Sequence, residues 1–328
     1  MKPANLNPAF IEIFKDAGRA PSGHNTQPWK FGAKGNQLII RPDFDRRLKV
    51  VDADDHALFI SLGCALENLT LSAKAHHFNP TVTTNFVDDK NEITVDLIRT
   101  EGIEKDLLYD FIQSRQCTRT GYNDKPIDKS LLEELRESAK NEAVEIIYIT
   151  DKNRIKELEP FIIEASNLQF NNQEFVNELV NWFRFSRKIA EEKRDGLWTA
   201  SMGLPNMPKP IGNFIMKNFV SAKTEAKRWK NLINQSAGFA LFVIKENSKE
   251  NWVKLGQSFE RFCLKATQLN IKHAHVNMPC EEISVRKKLI NYFDLGNRKQ
   301  PLLLIRLGYA EAMPYSYRLL LDEVLSEV

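Results

Sequence analysis

A short polar loop near the start of the chain holds side chains suited to binding a planar ligand. Pro21 and Pro28 each restrict φ to about −65° and remove a backbone donor, so both ends of the loop are stiffened. A rigid loop can aim the donors and acceptors between them at a flat ring. These polar residues are Ser22, His24, Asn25, Thr26 and Gln27. The alternative is an N-terminal turn whose Trp29 simply enters the core.

The whole loop, residues 20–31, reads Ala-Pro-Ser-Gly-His-Asn-Thr-Gln-Pro-Trp-Lys-Phe. It resembles the Pro-Ser-x-x-Asn-x-Gln-Pro-Trp signature of the FMN-dependent nitroreductase family. In that family the loop reaches across a dimer interface to the flavin bound mainly by the other subunit. The resemblance therefore implies that an FMN pocket includes Pro21, Ser22 and Asn25.

A second segment, residues 115–119, resembles the family's Arg-x-Ser-x-Lys/Arg segment, which holds the FMN phosphate and the pyrimidine edge of the flavin. The resemblance assigns Arg115 to the phosphate and Arg119 to the N1–C2=O edge, with Gln116 and Cys117 between them. Cys117 stands where the family usually has Ser or Thr, which are stronger hydrogen-bonding side chains. The alternative is a basic helix end that only complements the helix dipole.

Two further segments complete the implied FMN pocket. Residues 277–282 resemble the family's Pro-x-x-Gly segment, whose backbone N–H groups face flavin N5 and O4, although Glu282 replaces the glycine. This resemblance implies contacts at Pro279, Cys280 and Glu281. Arg318 matches the family's C-terminal arginine near the phosphate. The alternatives are a reactive thiol at Cys280 and a plain surface charge at Arg318.

An internal similarity indicates a duplication. Residues 63–73 align with residues 256–266, with Gly, Glu, Leu and Ala recurring at matching places. We interpret the chain as an α+β protein of two related halves, each with a central antiparallel-rich sheet flanked by helices, packed as an intrachain pseudo-dimer. The chain resembles the Acg-type nitroreductases, in which two such halves are fused. The predicted halves are residues 1–100 and 101–328, the second with a lid-like insertion at 196–222.

Hydrophobic periodicity and turn residues locate the individual elements. Helices are predicted near 8–17, 56–77, 103–114, 129–140, 214–232, 249–270, 283–292 and from about 318, and residues 151 to about 190 are predicted to be rich in helix. Strands are predicted near 37–41, 81–86, 92–98, 144–149, 239–245, 272–277 and 301–307, with a turn at 88–91.

Composition narrows the class of protein. The 328 residues carry a net charge of only +3 with dispersed basic residues, which argues against nucleic-acid binding. The four cysteines have neither disulfide nor metal-ligand spacing, and no signal peptide or membrane span is evident, so a cytoplasmic protein is predicted. The pair His273 and His275 has no acidic or cysteine residues to complete a metal-ligand set.

The resemblance to the Acg-type nitroreductases implies an FMN-dependent oxidoreductase. It would take electrons from NAD(P)H and reduce a nitroaromatic, a quinone or a related small acceptor by ping-pong hydride transfer, with no catalytic side chain required for the first step. One FMN per chain is expected, because each half lacks one of the two motif sets, and the fused pair could function as a monomer. The alternatives are a flavin-storing or redox-sensing protein with little turnover, and a structural protein without a cofactor.

Overall fold

Two four-stranded antiparallel sheets and the helices around them make up the computed structural model, which describes residues 6–87, 90–123 and 125–327. This architecture confirms the predicted α+β fold of two halves, each with an antiparallel sheet flanked by helices. Residues 88 and 89 of the predicted turn lie outside the described part of the chain. None of the described helices combines the length and apolar character needed to cross a membrane.

Strands and helices are interspersed along the chain. The strands are β1 (Trp29–Lys34), β2 (Gln37–Pro42), β3 (Phe78–Asn85), β4 (Glu92–Arg99), β5 (Val144–Ile149), β6 (Phe183–Arg184), β7 (Leu197–Trp198), β8 (Gly238–Ile244), β9 (Lys272–His275) and β10 (Gln300–Gly308). The helices are α1 (Pro8–Ala17), α2 (His56–Ala75), α3 (Lys129–Ser138), α4 (Lys152–Asn171), α5 (Gln173–Trp182), α6 (Arg187–Lys193), α7 (Lys209–Asn218), α8 (Ala222–Asn234), α9 (Lys249–Gln268), α10 (Met278–Glu281), α11 (Ile283–Tyr292) and α12 (Leu321–Val324).

The two sheets differ in how much of each is buried. The first has the order β1-β2-β4-β3, and β4 buries alternate residues, because one of its faces packs on the core and the other faces outward. The second has the order β5-β8-β10-β9, and every residue of β8 is buried, because helices cover both faces. The boundary predicted at residue 100 stays a prediction.

The long helices α2 and α9 cross at two glycines. A Cβ on Gly63 would lie 2.1 Å from the carbonyl oxygen of Val253, and a Cβ on Gly256 would lie 2.0 Å from that of Ile60. Each glycine thus meets the carbonyl three residues before the other glycine, which is the reciprocal contact of a two-fold interface. Only glycine allows the two backbones to approach this closely. The repeat found in the sequence therefore forms the contact between the two halves.

Polar contacts beside this crossing follow the same two-fold relation. Glu67 of α2 accepts a hydrogen bond from Arg261 of α9, with 2.9 Å between Oε1 and Nη1. At the equivalent positions of the repeat, Glu260 of α9 faces the uncharged side chain of Asn68 of α2. Since Asn68 carries no charge, the cation beside Glu260 comes from outside the repeat: Arg115 Nε lies 3.1 Å from Glu260 Oε1.

A group of helices and two short strands from residues 152 to 234, here called the cap, connects the two halves. Its helix α4 packs on the second sheet through Ile155, Leu158 and Ile162. The rest of the cap has a small apolar core of its own, and Val50 and Val51 of the first half pack against that core. The residues of this core are Phe175, Leu179, Phe183, Phe185, Leu197 and Met216.

Three predicted helices are wrong. Residues 103–114 form only a 3₁₀ turn at Leu107–Phe111, which buries Leu108 and Ile112 between α2 and α9. The single helix predicted at 214–232 is two helices, because Ser221 and Thr224 form a capping box that starts α8. Among the described residues beyond 318, α12 alone is helical, since the preceding residues run extended against the loop at 20–28.

Replacing Gly63 by alanine should destabilise the protein strongly. The added Cβ has a backbone carbonyl in its place, so α2 and α9 must separate, and we expect a loss of about 3 kcal/mol in the free energy of unfolding. Urea denaturation measures it. The matched control is Gly18→Ala at the end of α1, where φ is −64° and the nearest contact to a Cβ is 3.4 Å. Equal midpoints for the two variants would contradict the close helix crossing.

Candidate functional site

A cavity of about 430 Å³ lies where the two halves and the cap meet. The loop at 20–28 contributes Pro21, Ser22 and His24, and the first turns of α2 contribute Ile60 and Ser61. The second half contributes Arg119, the end of β9 and the start of α10, with His275, Asn277 and Met278. Segments far apart in the sequence therefore converge on one cavity.

The loop at 20–28 is held in an unusual backbone conformation. His24, Asn25 and Gln27 have φ values of 46°, 57° and 54°, in the left-handed region that side chains other than glycine rarely adopt. Ser22 Oγ accepts the N–H of Gln27 at 2.9 Å, which closes the loop on itself. Such strain persists only where surrounding contacts impose it, and it is typical of binding sites.

Two amides of the loop tie it to distant segments. Asn25 Nδ2 donates to the carbonyl oxygens of Gly196, at 3.2 Å, and Tyr317, at 3.1 Å. Gln27 Nε2 donates to the carbonyl of Arg194 at 2.9 Å. Asn25 therefore lies behind Pro21 and Ser22, which line the cavity, and it holds the loop against the cap and the C-terminal segment. Its predicted contact with a flavin stays a prediction.

Three guanidinium groups gather beside this loop: Arg19, Arg115 and Arg318, here called the arginine cluster. Arg115 Nη2 and Arg318 Nη2 donate to the backbone carbonyl of Arg19, at 2.8 and 3.2 Å. Burial, together with the charges of Arg115 and Arg19, lowers the pKa of Arg318 to about 9. Arg318 Nε is buried without a hydrogen-bond partner. The structure thus brings the predicted residues Arg115 and Arg318 together.

One carboxylate lies within the arginine cluster. Glu260 pairs with Arg115, and burial raises the pKa of Glu260 to about 7 although Arg115 opposes the shift. Arg318 makes hydrogen bonds only to backbone carbonyls, and no carboxylate of the described residues forms an ion pair with Arg19 or Arg318. Asp16 lies within electrostatic range of Arg19, so three cations face two acids, and the cluster retains a positive charge that fits a phosphate group.

The segment 115–119 joins the arginine cluster to the cavity. The N–H of Thr118 donates to the carbonyl of His273 at 2.9 Å, which attaches the segment to β9. Gln116 does not line the cavity: its Nε2 donates to the carbonyl of Met313 at 3.0 Å, and its Oε1 accepts the N–H of Met313 at 2.7 Å. Arg119 does line it, with Nη1 donating to the carbonyl of Ser201 at 3.4 Å.

Cys117 sits between two histidines of β9. Its thiol is half-buried, and interactions with His273 and His275 outweigh the effect of burial and lower the pKa of Cys117 well below the ordinary value. The two neighbouring imidazoles therefore favour the thiolate form of Cys117, which the hydroxyl of a family Ser or Thr does not adopt. Cys117 belongs to the segment 115–119, which the resemblance assigns to the flavin, and its contact with the flavin stays a prediction.

The backbone contacts predicted at Pro279, Cys280 and Glu281 need correction. The N–H groups of Cys280 and Glu281 both donate to the carbonyl of Asn277, at 2.8 and 3.1 Å, so they are used within the turn of α10. Pro279 has no N–H to offer. Cys280 is fully buried, and burial raises the pKa of its thiol, which argues against the alternative of a reactive cysteine. The side chains of Asn277, Met278 and Glu281 line the cavity instead.

Sequence reasoning missed three arginines of the site. Arg19 stands two residues before Pro21, and this closeness to the signature loop was a usable signal. Arg306 is the one charged residue in the apolar run 301–308 of β10, and a charge within a buried strand is also a signal. Arg228 lies on the amphipathic helix α8, where nothing in the sequence separates it from an ordinary surface arginine.

Comparison with known proteins supports the nitroreductase resemblance along nearly the whole chain. No family model matches it. Two curated proteins of Mycobacterium tuberculosis, named "Putative NAD(P)H nitroreductase MT3217" (strain CDC 1551 / Oshkosh) and "Putative NAD(P)H nitroreductase Rv3131" (strain ATCC 25618 / H37Rv), are each 21% identical over 322 residues. The match covers 94% of this chain and 89% of each relative. The chain is thus similar to nitroreductases, as its motifs predicted.

Solved nitroreductases resemble only part of the chain. A nitroreductase-like family protein from Bacillus cereus is 14% identical, with a TM-score of 0.40, over 67% of this chain and 95% of its own. A nitroreductase with bound FMN from Bacteroides fragilis NCTC 9343 is 14% identical, with a TM-score of 0.40, over 65% of this chain and 95% of its own.

The carboxyl group of Asp52, at the edge of the cavity, gives a pH prediction. Burial raises its pKa to about 6 from 3.8, although His56 and the N–H groups of Ala57 and Leu58 oppose the shift. The folded state therefore keeps a proton that the unfolded chain releases, and stability falls as pH rises from about 4 to about 6. We expect the free energy of unfolding to fall by about 2–3 kcal/mol more in the wild type than in Asp52→Asn over this range.

Urea denaturation at several pH values measures this difference. The matched control is Asp45→Asn, which removes an exposed carboxyl of the same segment and should keep the wild-type slope. Parallel stability curves for the wild type and Asp52→Asn would contradict the raised pKa.

Proposed function

We propose that this protein is an FMN-dependent NAD(P)H oxidoreductase that reduces a nitroaromatic, a quinone or a related small acceptor by a ping-pong mechanism. The observation that carries the proposal is the arginine cluster, whose surplus positive charge lies at one end of the segment 115–119 while the other end reaches the cavity. The names of the curated relatives, NAD(P)H nitroreductases, support the same reaction. A cytoplasmic setting, where NAD(P)H is available, is part of the proposal.

The cluster and the cavity suit the two ends of FMN. Arg19, Arg115 and Arg318 would hold the phosphate, and the buried, unpartnered Nε of Arg318 marks a donor that an anion would satisfy. Four residue steps separate Arg115 from Arg119, a reach of at most about 13 Å. That reach allows Arg119 to contact the ring while Arg115 contacts the phosphate. Pro21 and Ser22 would face the same ring from the first half.

When bound, FMN would supply hydride transfer between NAD(P)H and the acceptor. The protein's own residues position and shield the reactants. Arg119 would place a positive charge beside the edge of the ring that becomes negative on reduction. The cap contributes Met202, Leu204 and Met207 to the cavity, and these apolar side chains would exclude water. The segment 196–222 therefore suits the lid-like role that its sequence suggested.

A single FMN per chain follows from the same residues. The signature loop occurs once, in the first half, and the segment with Arg115 and Arg119 occurs once, in the second. The intrachain pseudo-dimer would thus build one complete site without a second chain. A flavin titration that saturates at two per polypeptide would refute this.

The absorption spectrum of the purified protein is the central test. We expect a yellow protein, or one that becomes yellow with FMN, that bleaches when NADPH or NADH is added without oxygen. A yellow protein that neither donor bleaches would instead support the alternative of a flavin-storing or redox-sensing protein. A protein that stays colourless with FMN would refute both.

The phosphate assignment predicts a selective loss in Arg318→Gln. Removing the guanidinium should weaken FMN binding about tenfold or more, because a charge-assisted hydrogen bond is lost. Binding of riboflavin, which lacks the phosphate, should change less than about twofold. Flavin fluorescence quenching measures both affinities, and Arg99→Gln, an exposed arginine of β4, is the control variant. An equal loss for FMN and riboflavin would exclude Arg318 from the phosphate site.

The ring assignment predicts a change of redox potential in Arg119→Ala. Without the cation the reduced flavin is less stable, so the midpoint potential should fall by roughly 30 mV or more. Spectroelectrochemical titration measures this potential. An unchanged value in a variant that still binds FMN would remove Arg119 from this role.

A further inference from the structure

A second set of arginines lines the cavity, apart from the arginine cluster. Arg119, Arg228 and Arg306, here called the cavity arginines, come from the segment 115–119, from α8 and from β10. Arg306 is only 1% exposed, and its Nη1 is buried without a hydrogen-bond partner. Its Nη2 donates to the carbonyl of Thr120 at 2.6 Å, and its Cζ lies 3.9 Å from the centre of the Tyr122 ring.

The cavity arginines outnumber the acids free to pair with them. Among the described residues, neither Arg119 nor Arg306 forms an ion pair with a carboxylate. Glu225 faces the cavity but is already paired with Arg228, at 3.0 Å. Burial and the charges of Arg228 and Arg119 lower the pKa of Arg306, which shows that these cations lie within range of one another.

The remaining carboxylates of the cavity have other partners. Glu281 accepts hydrogen bonds from Gln169 at 2.8 Å and from Asn277 at 3.3 Å. Asp52 accepts the N–H groups of Ala57 and Leu58, both at 2.9 Å. A buried guanidinium without a counterion costs several kcal/mol, and an anion from solution would recover that cost.

Most of the remaining cavity wall is apolar. The cap contributes aromatic and sulfur-containing side chains, and the residues that line the cavity include Phe170, Phe175, Phe183, Phe185 and Met216. A ligand that fills this space therefore buries an apolar body against the cap, while a charged group can reach the arginines at the wall formed by α8 and β10. Apolar surface and unpaired cations together favour an amphipathic anion over a neutral ring.

We propose that the second substrate of this protein is an apolar, ring-bearing molecule with one anionic group, a carboxylate or a phosphate. Its anionic group binds between Arg228 and Arg306, and its apolar body packs against the cap. This inference rests on the proposed function only in so far as it calls the ligand a substrate. The binding site itself is formed by side chains of the chain.

Calorimetry with 2-naphthoate and 2-naphthamide tests the site without any turnover. The two probes share size and shape, and only the first carries a charge. We expect the wild type to bind 2-naphthoate at least about fivefold more tightly than 2-naphthamide, with a preference that shrinks at high salt. Because no flavin or NAD(P)H takes part, this result is independent of the FMN experiments. A protein that does not bind FMN can still prefer 2-naphthoate, and a protein that binds FMN can still lack this preference.

Variants of a half-exposed arginine make the test specific. Arg228 is 40% exposed in its side chain, so Arg228→Gln should fold, and it should lower the affinity for 2-naphthoate about fivefold while leaving 2-naphthamide unchanged. Arg228→Lys should restore part of the loss. The matched control is Arg136→Gln, which breaks an equivalent i,i+3 pair with Glu133 on α3, away from the cavity, and should change neither affinity.

Two results would overturn the proposal. One is equal binding of the two probes by the wild type. The other is an unchanged 2-naphthoate affinity in Arg228→Gln; if that variant also raised the KM for NADPH but not for NADH, the arginine would bind the 2′-phosphate of the donor instead.

Discussion

The close approach of α2 and α9 is the contact on which the rest of this structure depends. At Gly63 and Gly256 the backbones of the two helices are in direct contact, and a carbonyl oxygen of the other helix occupies the space that a Cβ would need. Because these helices form the centre of the two halves, their separation sets the distance between the loop at 20–28 and the segment 115–119. A wider crossing would separate the two parts of the cavity, whatever the side chains along it.

Positive charge without matching acids is the second constraint. The arginine cluster has three guanidinium groups and one carboxylate that forms an ion pair with them, and the cavity arginines include two without an ion pair among the described residues. Burying unpaired charge is unfavourable, so a fold keeps it only where other contacts hold it in place. Here the backbone carbonyls of Arg19, Thr118 and Thr120 do so, and the N–H groups left over point to anionic partners.

Much of this fold could be predicted from local sequence, and the failures have physical causes. The repeat, the long helices and the alternating strands could be predicted from hydrophobic periodicity. The signature loop that ends at Gln27-Pro28-Trp29 correctly indicated one wall of the cavity. The helix expected at 103–114 failed because packing of Leu108 and Ile112 between two long helices outweighs local propensity. The N–H groups at 280 and 281 could not be judged from sequence, since only coordinates show that Asn277 accepts both.

The repeat also explains why the two halves need not be equivalent. At one end of the helix crossing, Glu67 forms an ion pair with Arg261, and both residues belong to the repeat. At the other end the equivalent position is Asn68, so Glu260 takes its cation from Arg115. Because Asn68 stands where the other half of the repeat has Arg261, Arg115 brings the segment 115–119 to the helix crossing on one side only. Arg119, in the same segment, thereby reaches the cavity. A two-fold frame thus acquires an arginine-lined site on one side, which supports the proposal of a single cofactor per chain.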